Sequence, residues 1–193
     1  GGFNRQPLTP EELAALKLPK SAVLAGNYGA PEQLVPLIRE IADLLRQHGF
    51  DIRISAMDGF DKLVLDNVQG AEIHLPWKDF NQVQNAFSTF NSDECKEYAK
   101  RYMPDWSTVK ESHQAFFAKN ARLVLGKTCK QPCQISIIWS EDGVEGPANR
   151  GPRSAHAGHI AAISHAMNIP VINISNPNAV QRLRQFLEGN RNG

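Results

Sequence analysis

The stretch that most constrains this chain runs from Gln134 to Ile174. An apolar segment, Gln-Ile-Ser-Ile-Ile-Trp-Ser, leads into a loop rich in Gly, Pro, Arg and His; an Ala-rich helical segment and a second apolar segment, Ile-Pro-Val-Ile-Asn-Ile, follow. The order predicts strand, ligand loop, helix, strand. Such a unit is the working half of many nucleotide-binding α/β domains, because the loop meets the exposed N–H groups at a helix N-terminus, where an anion is favoured.

The same alternation recurs upstream. Thr9-Pro10-Glu11-Glu12 has a capping residue, proline at the first helical position and Glu three residues after the cap, which predicts a short leading helix. Ser21 to Ala25 reads as a buried strand that ends in Gly26-Asn27-Tyr28-Gly29. A helix opening near Pro31 carries Leu34, Leu37, Ile38, Ile41, Leu44 and Leu45 at helical spacing and stops at Gly49. Asp51 to Ser55 is a second strand, Phe60 to Asn67 a helix, and Ala71 to Leu75 a third strand closed by Pro76. Between Trp77 and Asn91 the periodicity fades, and residues 77–110 form an insertion or lid candidate. Helical pattern returns at Asp93 to Tyr102, breaks at Met103-Pro104 and resumes from about Thr108 to Leu125, where Gly126 supplies the stop. Asn176-Pro177-Asn178 caps a last helix bearing Val180, Leu183, Phe186 and Leu187, and Gly189 to Gly193 should fray.

Strands and helices alternating at this spacing predict an α/β fold: three-layer and Rossmann-like, a mostly parallel sheet with helices on both faces. Right-handed crossovers then place the loops after the strands on one common edge. At 193 residues the chain suits one domain spanning 1–193. Lys+Arg (21) nearly balance Asp+Glu (20), which argues against a broad electrostatic grip on DNA or an anionic membrane. No apolar run approaches the roughly 18–20 residues a membrane span needs, and the N-terminus lacks a secretory pattern, so the expectation is a cytoplasmic protein with no membrane partner. Gly1-Gly2 reads as an expression remnant. Cys95, Cys129 and Cys133 are an odd set implying neither a disulfide framework nor a structural metal; the preferred reading of Cys129 to Cys133 is a turn with two free thiols, against half a metal site.

Three loops should therefore converge at the carboxyl edge of the sheet. The first is Gly26-Asn27-Tyr28-Gly29, whose glycines either admit a phosphate or simply make a tight turn. The second is Ser55-Ala-Met-Asp58-Gly59-Phe-Asp61; Asp58 reads chiefly as a helix cap, and Asp61 as either a cap or a ribose-hydroxyl acceptor. The third, Gly143 to His159, holds Arg150, Arg153, Ser154, His156, Ala157, Gly158 and His159, where Arg can clamp a phosphate and Ser can add a hydroxyl; the alternative is a solvated basic loop. Trp77 and Trp139 sit at strand ends and either stack on a base or fill the core. His156, His159 and His165 have no Asp, Glu or Cys among them, so no metal is expected, and nothing in the sequence calls for a cofactor. His74 and His113 read as packed or surface residues. No Gly-x-Ser-x-Gly elbow is present.

Taken in order, Val-Leu-Ala-Gly-Asn-Tyr-Gly29, the run Gly49 to Asp61, Glu72-Ile-His-Leu-Pro-Trp-Lys78, and Ala155-His-Ala-Gly-His159 followed by Asn168-Ile-Pro-Val-Ile-Asn173 resemble the SLOG superfamily. That Rossmann-like group contains the DprA/Smf proteins and the LOG phosphoribohydrolases, and the chain is most similar to phage and bacterial DprA-like members. The matching order covers Val23 to Ile174. The resemblance implies a nucleotide or nucleotide-derived ligand, ADP-ribose-like or ribose-phosphate, and a homo-oligomer. It also exposes departures. On the LOG pattern Pro-Gly-Gly-x-Gly-Thr-x-x-Glu, the glycine pair falls on Ala155 and His156, the threonine on His159 and the catalytic Glu on Ala162, which cannot transfer a proton. His113 and Asn120 only loosely match the helix motif of the DprA-like proteins. Binding without turnover is the first expectation, with the catalytic residues unknown. The second is an N-glycosidic-bond enzyme with Asp58, Asp61, Glu145 or His156 in place of the lost Glu. The third is a single-stranded DNA-binding module using Lys78, Arg150, Arg153 and Trp77.

Overall fold

The computed structural model describes residues 7, 9–15 and 19–191. Five parallel strands form one sheet: β1 (Lys20–Gly26), β2 (Phe50–Ile54), β3 (Glu72–Ile73), β4 (Ile135–Trp139) and β5 (Val171–Asn173), in the order β3-β2-β1-β4-β5. Helices cover both faces, giving the expected three-layer, Rossmann-like α/β fold. β1 is central and its residues are buried on both sides: Ala22 and Leu24 face one apolar cluster, Val23 and Ala25 the other. That two-sided burial explains why the strand reads as a continuous apolar run instead of an alternating one.

On the first face lie α2 (Val35–Gln47), α3 (Phe60–Asn67) and α7 (Ala179–Arg191), which bury Ile38, Ile41, Leu44, Leu45, Phe60, Val64, Leu183 and Leu187. On the second lie α4 (Asp93–Arg101), α5 (Glu111–Leu125) and α6 (Ala155–Ala166). Every residue from Ala157 to Ser164 is buried, so α6 has no solvent face and takes small side chains that let its neighbours approach. A leading helix, α1 (Pro10–Ala15), begins with the expected capping box: Thr9 Oγ1 accepts from the Glu12 N–H, and the Glu12 carboxylate accepts from the Thr9 N–H.

Several expectations shift. A 3-10 turn at Glu32–Leu34 precedes α2, so the helix proper starts later than Pro31. Asp58 is not the cap of α3; the cap position is Gly59, at φ 87, and no side chain bonds there among the described residues. A side chain there would collide with Tyr28 Cα at 2.5 Å, so the glycine is required by both conformation and packing. α7 runs on through Gly189 to Arg191, where fraying was expected, while Gly1-Gly2 and residues 192–193 lie outside the described residues. Cys129 is not free: it forms a disulfide with Cys95, fastening the first turn of α4 to the loop after α5, and the buried Cys133 is the remaining thiol. Pairing across 34 residues depends on how α4 folds back, which spacing alone does not reveal.

The insertion candidate is held down. Phe87 and Ser88 return to β3, where Phe87 N–H donates to Ile73 O at 2.8 Å and Leu75 N–H to Ser88 O at 2.9 Å. The fully buried Arg122 of α5 then donates to Leu75 O, Ser88 O and Asn91 Oδ1. No described helix is long and apolar enough to cross a membrane.

Candidate functional site

The three loops do meet, and Asn27 joins them. Its Nδ2 donates to Ser154 O at 2.8 Å, and its Oδ1 accepts from the Ala157 N–H at 2.8 Å. Its own carbonyl accepts from the Phe60 N–H at 3.0 Å. The loop after β1 is thus stitched both to the start of α3 and to the start of α6. Gly26 supports this closeness, because a Cβ there would meet Trp139 O at 2.6 Å and the Phe60 ring at 2.8 Å. That glycine serves strand and helix packing, while Gly29 makes an open turn at φ 89.

Asp61 lies beneath the stitch. Its Oδ1 accepts from the Gly26 N–H at 2.8 Å, and the residue is buried. The carboxyl supports the loop from inside, so a ribose hydroxyl at the surface does not reach it. Burial pushes its pKa up to about 6, against the opposing pull of the Lys119 ammonium, the Gly26 N–H and the Ser55 hydroxyl. Ser55 Oγ is near enough to act on that charge, yet it is fully buried and without a hydrogen-bond partner among the described residues. Lys119, also fully buried, is pushed down to about 8 by burial, with Asp61 opposing.

Above this pair, Lys119 Nζ donates to Asn120 Oδ1 at 2.7 Å, and Asn120 Nδ2 lies 3.1 Å from His156 Nδ1 and 3.3 Å from His159 Nδ1. His159 Nε2 reaches Ala99 O at 3.0 Å. Aromatic rings enclose the histidines: Phe117 stacks on His156 at 4.9 Å and meets His159 edge-on, while Phe116 links His156 to Trp77 and His113. Burial, aided by the Lys119 charge, presses His156 down to about 3, and burial, aided by Arg150 and Lys119 and opposed by the Ala99 carbonyl, presses His159 down to about 3, so both are neutral at ordinary pH.

The basic loop is tied within the molecule. Arg150 donates to Tyr102 O at 2.7 Å, and Arg153 pairs with Glu141 at 2.7 Å on the surface. Ser154 Oγ donates to Asp142 Oδ2 at 2.6 Å and accepts from the Gly151 N–H. An anion clamp of these three would have to displace such contacts. Among the first N–H groups of α6, Ala157's goes to Asn27 and Gly158's to Ser154 O, leaving those of Ala155 and His156 at the open end. Ala155 itself sits at φ 48, a left-handed conformation that a non-glycine residue rarely adopts.

Glu145 is likewise structural. Arg182 grips it with two nitrogens at 2.7 and 2.9 Å, and the Asn173 N–H and Asn176 amide add bonds at 2.9 and 3.0 Å. Burial acts to raise its pKa, but these donors outweigh it and hold the carboxyl below its usual range. Asp58 is exposed and borders a cleft of about 370 Å³ with Ala56, Lys62, Leu65 and Asn81. A second cleft, about 390 Å³, lies at the start of α6 between Phe117, Met103, Pro104, Arg150 and Pro152. Tyr28 is 82% exposed and Trp77 40%, whereas Trp139 is a core residue stacked on Phe60. No group of three or more His, Cys, Asp or Glu gathers as a metal set among the described residues.

Lys119 and Asp142 were not singled out from sequence, and Asn120 only in passing. The available signal was the Lys-Asn pair set inside the apolar run Ala-Phe-Phe-Ala-Lys-Asn-Ala-Arg-Leu-Val-Leu, a position where a solvated charge is out of place. No family model, curated protein or solved structure matches this chain.

Proposed function

We propose that this protein binds a nucleotide or nucleotide-derived ligand, ADP-ribose-like or ribose-phosphate, at the carboxyl edge of its sheet, without LOG-type turnover. The observation that carries the reading is the Asn27 clamp. It joins the loop after β1 to the helix after β4, and the strand order reverses between those two strands. In open α/β sheets, ligands bind outside the carboxyl ends of the strands at that reversal. Tyr28, in the loop after β1, and Trp77, linked to His156 through Phe116, offer exposed rings for a base, and the open N–H groups of Ala155 and His156 suit a phosphate.

Binding is favoured over hydrolysis by what the carboxylates are doing. Asp61 holds the Gly26 N–H, Glu145 holds Arg182, and Ala162 is buried within α6. Kinship with the SLOG superfamily, and with its DprA-like members in particular, belongs to the same proposal, as do a homo-oligomeric state and a cytoplasmic setting. Calorimetry against AMP, ADP-ribose and ribose 5-phosphate tests it: saturable binding of at least one, with no free base released on long incubation, is expected. Heat from none of them would sink the reading. Release of base would move it to the N-glycosidase alternative, with the exposed Asp58 the first residue to replace. Tight, strongly salt-dependent retention of single-stranded DNA would favour the nucleic-acid reading.

A further inference from the structure

The buried polar chain at the start of α6 has both ends fixed by chemistry. The Lys119 ammonium can only donate, and it donates to Asn120 Oδ1. The amide nitrogen of Asn120 must therefore face the histidines. Its two protons meet two ring nitrogens, His156 Nδ1 at 3.1 Å and His159 Nδ1 at 3.3 Å. At the other end, the Ala99 carbonyl can only accept, so His159 carries its proton on Nε2 and accepts on Nδ1. The two ends independently demand the same orientation of Asn120.

His156 follows from this. Its Nδ1 is an acceptor, so its proton sits on Nε2. The buried side-chain atoms that lack a partner among the described residues are Ser55 Oγ and the two ring nitrogens of His74. His156 Nε2 is not one of them, and its ring is half-buried. A second proton on Nδ1 would point at the Asn120 N–H groups. The charged and titratable groups around the ring are Lys119 and His113 on α5 and His159 on α6, and each opposes that proton. Arg150 adds a further cation beside His159.

We propose that Lys119, Asn120 and His159 form a positioning relay that keeps His156 a neutral imidazole and presents its Nε2–H as a donor to an acceptor oxygen of the ligand. The ligand clause rests on the nucleotide reading of this edge; the relay does not. A neutral donor beside Phe116 and Phe117 recognises a phosphate or base oxygen without adding charge. Affinity for a ligand with no titration of its own is then level from pH 5 to 7, below the range in which Lys119 loses its proton, whereas a protonated histidine would lose about tenfold per unit above its pKa.

The test uses the full chain with isotope-labelled histidine, read by long-range proton–nitrogen correlation from pH 5 to 7. The expected spectrum shows His156 protonated on Nε2, bare on Nδ1, and unchanged across the range. An Nδ1–H tautomer, or a His156 that takes up a proton above pH 5, overturns the relay. Asn120→Asp replaces the donating amide with an acceptor and is expected to bring His156 into titration within that window; a folded variant that stays level overturns the relay too. If the variant does not fold, the wild-type spectrum decides alone. ADP-ribose, adenosine and ribose 5-phosphate are then added to the same sample. A His156 Nε2 shift shared by ADP-ribose and adenosine supports a donor to the base, and one shared by ADP-ribose and ribose 5-phosphate a donor to phosphate. ADP-ribose binding that leaves His156 unmoved, or that weakens tenfold per pH unit, overturns the donor role. Absence of binding by all three defeats the nucleotide as recipient and the proposed function with it, while the tautomer still confirms or overturns the relay.

Discussion

The two faces of the sheet are built on different terms. Against the first face, α2, α3 and α7 pack an apolar layer with Leu45, Ile38 and Phe60 fully buried, and Asp61, at the start of α3, is the buried charge where that layer meets the loop edge. Against the second, α4, α5 and α6 also bury Lys119, Asn120, Arg122, His159 and Ser164. Burying polar groups is unfavourable unless each finds a partner. Three of its residues meet that demand: Arg122 has four acceptors, Asn120 uses both amide protons, and Ser164 bonds Ile160 O and Ser136 Oγ. The first face is the frame, and the second holds the candidate site. Perturbations of the two should therefore differ in kind.

The largest effect is expected at Arg122. Arg122→Met keeps the stem but leaves Leu75 O and Asn91 Oδ1 without their donor and Ser88 O with the Leu75 N–H alone, a loss of about 2–6 kcal/mol at roughly 1–3 per orphaned group. On the first face, Leu45→Ala should destabilise by about 2–5 kcal/mol through a cavity. Denaturant unfolding would give similar totals for both. Proteolysis separates them: only Arg122→Met should expose residues 77–91 to early cleavage, and equal early cleavage in Leu45→Ala would break the contrast.

Next is the disulfide, which belongs to the second face alone. Closing a loop of about 34 residues contributes roughly 3–4 kcal/mol by chain entropy. A lower midpoint in dithiothreitol is expected for the wild type and none for Cys95→Ala. α4 also supplies Ala99 O to His159, and Tyr102, at its end, supplies a carbonyl to Arg150, so reduction should speed amide exchange at the start of α6 and leave α2 unchanged. An unaltered midpoint would show that the bond does not form in solution.

How much of this was legible differs by face. Period and punctuation specify the frame, since β1 and β4 are buried, largely apolar runs before turn residues, β2 alternates Phe50, Ile52 and Ile54 with Asp51 and Arg53, and α2 has a clear apolar stripe. The meeting of the three loops also followed, because right-handed crossovers leave little choice. The contents of the second face did not follow. Whether Lys119 is solvated or buried depends on which side of α5 meets α6, and α6 scatters its polar residues among small apolar ones with no one-sided stripe, so its pattern names no face. The same limit hid the pairing of Cys95 with Cys129 and the partners of Arg150, Arg153 and Ser154. Each is chosen by a residue far away in sequence or across a loop with no period.

Asp61 sharpens the comparison through pH. Its pKa rises from an ordinary 3.8 to about 6 on folding, so the folded state holds that proton more tightly than the unfolded chain. The associated stability is fully present below pH 4 and is lost as pH rises through about 6. Asp61→Asn keeps an acceptor for the Gly26 N–H but removes the titration. Wild type minus variant should therefore shift in favour of the wild type on going from pH 7 to pH 4, by up to roughly 3 kcal/mol. Leu45→Ala minus wild type should stay level over the same range. A level difference for Asp61→Asn as well would mean that Lys119 keeps the carboxylate fully compensated.

The smallest effect concerns the backbone at the edge itself. Ala155 opens α6 at φ 48, where an L side chain is disfavoured by about 1–2 kcal/mol. Removing the Cβ should relieve part of that, less the extra freedom glycine gains in the unfolded chain, which is about 0.4–1 kcal/mol. Ala155→Gly is thus expected to leave stability unchanged or raise it by up to about 1 kcal/mol. At an ordinary helix start, or at Ala42 on the first face, the same exchange should lower stability by roughly 0.5–1 kcal/mol. Thermal midpoints of the two glycine variants, measured side by side, check the sign. If Ala155→Gly is as harmful as Ala42→Gly, the left-handed turn at the start of α6 is not held in solution, and the open N–H groups of Ala155 and His156 lose the geometry on which their role at the edge depends.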